Sequence, residues 1–181
     1  MSPGLARRGR AAAALLAAAL LAGCASGPAM NTGPFGNGGT PGEECVEVPA
    51  GTVLSYGFEA FSNSGPAATI ERAGLADPHG LRVLAAYALP LTGTDAYGVW
   101  FGYPPTAHFP PGVQWSQRQR ADGAHIPHSR GQDAINLLLV IKPTARTGWA
   151  RGVDVYYRSA GQHYHLRTAT RLRVQVAVPC R

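Results

Sequence analysis

Helical periodicity is nearly missing from this chain of 181 residues. Past Cys45 apolar residues do not recur at three- and four-residue spacing, which argues against helical bundles and α/β folds. Apolar runs of membrane-spanning length are missing too. A spanning helix needs roughly 20 apolar residues, and the longest later run, Ile135 to Ile141, is interrupted by Asn136. Methionine stands only at Met1 and Met30, which leaves no thioether copper(I) site in the expected domain. There is no G-x-S-x-G elbow, no S-x-x-K pair, no C-x-x-C spacing and no glycine-rich loop following a strand. Those gaps remove the usual sequence marks of serine hydrolases, zinc ribbons and phosphate-cradling sites. Glu59, Glu71, Asp77, Asp95, Asp122, Asp133 and Asp154 each stand alone in sequence, so no paired-carboxylate glycosidase is legible.

Lysine occurs once, at Lys142, and nearly all positive charge is arginine. Of 16 lysines and arginines three lie within the first 23 residues, leaving 13 against 10 acidic residues, a formal +3. That surplus is mild and scattered, which excludes a nucleic-acid partner. Arg167, Arg171 and Arg173 form the densest group. Strand alternation puts them on one side, as a solvated face or a contact for anionic headgroups or wall polymers.

What is present begins with order at the N-terminus. Arg7, Arg8 and Arg10 precede an apolar run from Ala11 to Leu21, too short to remain as a span, as in a secretory signal. The run closes on Leu21-Ala22-Gly23-Cys24, which resembles a bacterial lipobox. The resemblance implies a lipoprotein: residues 1–23 removed, diacylglycerol on the Cys24 sulfur, and anchorage at the cell membrane facing outside the cytoplasm. Residues 24–43, rich in glycine, proline, asparagine and threonine, read as a lipidated flexible tether. A coil of that length places the domain on the order of 20–25 Å from the membrane.

With Cys24 lipidated, Cys45 and Cys180 are left as a pair, expected to be disulfide-bonded in an oxidising compartment. The domain, residues 44–181, is expected to be all-β: a single antiparallel β-sandwich of immunoglobulin-like architecture. Strands are expected at 52–61, 68–75, 81–89, 97–101 and 135–141, the last buried on both faces. GVDVYYR from Gly152 and QHYHLRT from Gln162 read as a hairpin, and Leu172, Val174, Val176 and Val178 as a closing strand.

Residues 102–132 carry no usable repeat, and the sequence places them over one end or face of the sandwich. Trp100, Tyr103, Phe109 and Trp115 crowd there with several prolines. They read either as a second small core or as a recognition surface with Arg118 and Arg120 as polar partners. The histidines are weaker metal candidates. His125 and His128 lie in the loop, and His163 and His165 share one face of a strand, pointing outward, with Asp122 or Asp133 as a third ligand. No catalytic residue and no cofactor is assigned. The expected role is a lipid-anchored binding or scaffolding module, partnered by the membrane, another envelope protein or a wall polymer. The competing readings are a metal-dependent hydrolase on the loop histidines and a metal or solute carrier.

Overall fold

The computed structural model describes residues 30–37, 41–92, 96–105, 114–130 and 133–180. Residues 1–29, Cys24 among them, and Phe109 lie outside the described residues. The strands are β1 (Phe35–Asn37), β2 (Gly42–Val48), β3 (Leu54–Asn63), β4 (Ala68–Ala76), β5 (Leu81–Thr92), β6 (Gly98–Phe101) and β7 (Gln119–Arg120). They continue with β8 (His125–Ile126), β9 (Asp133–Pro143), β10 (Thr147–Ala150), β11 (Gly152–Ser159), β12 (Gln162–Arg167) and β13 (Thr170–Val176). A front sheet runs β1-β3-β9-β5-β7, with β6 sharing the outer edge of β3. The back layer holds two smaller sheets, β12-β11-β4-β8 and β10-β13-β2.

The chain is thus an all-β sandwich of largely antiparallel sheets. One pair of strands departs from the purely antiparallel expectation: β2 and β13 run parallel, as does the isolated Met30–His165 bridge. Cys45 on β2 is bonded to Cys180 just past β13, with Cα atoms 6.0 Å apart across 135 residues of chain. Closing so long a loop removes several kcal/mol of unfolded-chain entropy, on the order of 4–5 by the chain model.

β9 lies at the centre of the front sheet, so its apolar run is buried on both faces as its sequence indicates. Leu137, Leu139 and Ile141 face the main core with Leu54, Tyr56, Ile70, Val155 and Leu172. Leu138 and Val140 face the other way, into a second cluster with Leu89 and Tyr97. Asn136, the polar interruption, is fully buried and fully used. Its Nδ2 donates to the carbonyls of Gly57 and Glu59, each at 2.8 Å, and its Oδ1 accepts from the Tyr97 N–H at 2.6 Å. A bulge in β3 between Tyr56 and Glu59 breaks the ladder there. The asparagine supplies the missing partners, without which buried carbonyls cost free energy.

β11 and β12 form the expected hairpin, closed by Ala160-Gly161 with φ of 48° and 78°. Positive φ at both positions matches the right-handed twist of the strands. The hairpin bends where it passes from one back sheet to the other. Gly152 adopts φ 149° there, and a Cβ would stand 2.5 Å from the Thr168 carbonyl oxygen. Thr168 Oγ1 accepts from the Val153 N–H at 2.9 Å.

The tether expectation needs correction. Met30 bridges to His165, Phe35–Asn37 pairs with β3, and Phe35 is buried between Phe61 and Tyr157. A Cβ at Gly33 would run into the Tyr157 hydroxyl and the Tyr164 ring. Composition read residues 30–37 as coil because glycine and proline surround a single aromatic. That one aromatic is enough to dock them.

Glu59 is buried at 4% exposure with one carboxylate oxygen unpartnered. Burial pushes its pKa above the ordinary carboxylate value, against hydrogen bonds from Thr168 and Thr170. The folded state therefore holds the proton to higher pH than the unfolded chain. Glu59's contribution is neutral below the unfolded pKa and destabilising as pH rises through the raised one, by about 1.4 kcal/mol per unit of separation. Glu59→Gln, measured by thermal denaturation across pH, is expected to match the parent at pH near 4 and to exceed it toward neutrality. Equal curves at every pH would refute a carboxyl whose pKa burial raises.

Candidate functional site

The outer face of the front sheet gathers five of the six residues singled out from the loop: Trp100, Tyr103, Trp115, Arg118 and Arg120. β6 delivers Trp100, whose indole N–H donates to the Tyr97 carbonyl at 2.8 Å. Gly102, just beyond, donates to the Val53 carbonyl and accepts from the Ser55 hydroxyl at 2.6 Å, fixing where Tyr103 leaves the sheet. A 3-10 turn at Trp115–Gln117 returns the chain over Tyr97. β7 then pairs Arg120 with Tyr87 of β5.

Packing and recognition both find support here. Tyr97 is buried, and Trp100, Tyr103 and Trp115 are partly buried against the second core. The rim carries two arginines against aromatic rings. Arg118 Cζ lies 4.5 Å over the Trp115 ring and Arg120 Cζ lies 5.3 Å from the Tyr87 centroid. Tyr87 and Tyr103 stack with centroids 5.6 Å apart. A hydrogen bond from Tyr103 holds the Tyr87 hydroxyl below its ordinary range, against burial and with help from Arg120 and Arg118. Burial, and after it Tyr87, pushes Tyr103 up. Neither guanidinium forms an ion pair among the described residues. Asp122 shares a small hollow with Arg120 without pairing to it. The face is an aromatic platform carrying two arginines that no carboxylate among the described residues pairs with. Sequence reasoning missed Tyr87; its signal was the alternation Ala85, Tyr87, Leu89, which marks one face of a strand.

The histidines divide between two places. His125, His128, Ser129 and Asp133 line one cleft of about 310 Å³, floored by Leu91, Ile126 and Ile135. His128 Nδ1 lies 3.1 Å from the Gly65 carbonyl, and Ser129 Oγ accepts from the Asn63 N–H at 2.7 Å. Both polar atoms thereby tie the segment after β8 to the β3–β4 turn.

On the back layer His163 meets Glu71 at 3.0 Å, whereas His165 meets Asp154 at 2.7 Å. The outward position expected of His165 holds for its strand face, but the side chain is buried. It stacks on Tyr156 at 4.2 Å, and Arg72 lies 4.4 Å from the same ring. Burial raises the Asp154 carboxyl, but hydrogen bonds from Arg167 and His165 outweigh it and leave the pKa below the ordinary value. Arg167 bonds both Asp154 oxygens at 2.8 Å, so it belongs to this network and not to a solvated arginine row. No group of three metal-binding side chains is assembled among the described residues.

No family model matches the chain, and no curated protein or solved structure matches it either.

Proposed function

We propose that the protein is a lipid-anchored extracytoplasmic binding module whose ligand face is the Tyr87, Tyr103, Trp115, Arg118 and Arg120 platform. The observation that carries this reading is the pair of guanidiniums, each over an aromatic ring and neither ion-paired among the described residues. Such a surface suits an anionic saccharide: sugar rings lie against aromatic planes, and guanidinium forks grip carboxylate or phosphate. A wall polymer bearing such groups is therefore the favoured partner. The lipobox resemblance supplies the anchor.

The test is co-sedimentation of the domain with insoluble purified cell wall. Arg118→Glu combined with Arg120→Glu is expected to weaken binding at least tenfold, since each charge-assisted bond is worth about 1.5–3 kcal/mol. Wall binding that survives both changes would remove this face as the site. The cleft at His125, His128 and Asp133 favours one second reading, a metal-dependent hydrolase. Zinc titrated into the domain is expected to bind without stoichiometry. One equivalent bound, and lost in His128→Ala, would replace the binding-module reading.

A further inference from the structure

Residues 25–29 are all that separate Cys24 from Met30, which is already docked beside His165. Six residue steps reach at most about 20 Å. A domain of about 150 residues is on the order of 40 Å across, so an anchor of that reach keeps the side bearing Met30 within about half a domain's width of the membrane. Resting on the lipoprotein reading above, we infer that the outward face of the back layer lies against the bilayer and docks on anionic lipid headgroups.

Met30 selects that face, because its partner strand β12 forms the edge of the back layer. The bent hairpin carries one outward row along the whole layer. Arg158 pairs in register with His163, Tyr156 with His165, Asp154 with Arg167, and Trp149 with Arg173. Charge on this row is uneven. Glu71, Asp154, Asp77 and Glu43 are each engaged by His163, His165, Arg167 or Arg173, leaving Glu47 as the exposed acid of this face without an ion pair among the described residues. Arg151, Arg158 and Arg171 are exposed and have no ion pair among the described residues. Such arginines are attracted to an anionic headgroup surface. Trp149, 40% exposed and stacked on His79, sits beside Arg151 and Arg171 at a shallow hollow. An exposed indole among arginines is the side-chain set that settles at a headgroup interface. Trp100 and Trp115 belong to the opposite face, which is thereby left pointing away from the membrane.

The full chain, purified from membranes and reconstituted in phosphatidylcholine–phosphatidylglycerol vesicles with brominated acyl chains, provides the test. Tryptophan emission is expected to be quenched, and the quenched component is expected to vanish in Trp149→Phe. Arg151→Glu with Arg171→Glu, replacement of phosphatidylglycerol by phosphatidylcholine, or a Gly-Ser insertion between Gly27 and Pro28 is each expected to relieve it several-fold. The mass of the reconstituted chain is read in parallel. Lipid on Cys24 with no Trp149-dependent quenching overturns the apposition and leaves the anchor standing. An unmodified Cys24 overturns the anchored reading and this inference with it.

Discussion

Asn136→Leu is expected to lower the unfolding free energy by about 3–5 kcal/mol, although leucine is the better strand residue and the neighbours are apolar. The change leaves the Tyr97 N–H and the Gly57 and Glu59 carbonyls without their partner inside the protein. Each buried polar group left unpaired costs about 1–3 kcal/mol. Domains of this size hold only about 5–15 kcal/mol in all, so the variant should melt some 10 °C or more below the parent. Urea denaturation followed by tryptophan emission measures it. A loss under about 1 kcal/mol would mean that the β3 bulge re-pairs with β9 once the amide is removed.

Phe35→Ala carries the second large effect, about 3–5 kcal/mol, the range for emptying a buried phenylalanine site. Phe35 stacks on Tyr157 with centroids 3.8 Å apart and on Phe61 at 4.7 Å, and its N–H donates to the Tyr157 hydroxyl at 3.1 Å. A residue in a free tether would cost nothing when truncated. The same denaturation experiment therefore distinguishes a docked segment from a flexible one, and a change within a few tenths of a kcal/mol would restore the tether.

Most of the strands were legible because one residue in two faced the core, and turn residues marked their ends. The Gly152–Ser159 and Gln162–Arg167 hairpin, the doubly buried β9 and the Cys45–Cys180 pair were all readable this way. What escaped was set by tertiary partners. Phe35 lies among residues of coil-forming composition, and only the stack with Tyr157 and Phe61 reveals its role. His165 alternates as an outward polar residue should, but Tyr156, Asp154 and the Met30 bridge bury it. Asn136 looked like a flaw in an apolar run, since the bulge it serves lies 79 residues earlier at Gly57. Of the aromatic face, Trp100, Tyr103, Trp115, Arg118 and Arg120 were visible as local crowding. Tyr87 was not, because it arrives from another strand.

The position of the Cys45–Cys180 bond divides the molecule mechanically. Everything between those two residues is one covalent ring, and Met30 through Asn37 lie outside it. Tension applied through the N-terminus meets first the short pairing of β1 on β3 and the Met30 bridge. Those can peel away and lengthen the connection by roughly 3.4 Å per residue, on the order of 25 Å, before load reaches Cys45. Load that passes from Cys45 to Cys180 bypasses the ring while the sulfur bond holds. The protein is thus built as a stiff head behind a short extensible leader, able to give without losing the fold that carries its aromatic face.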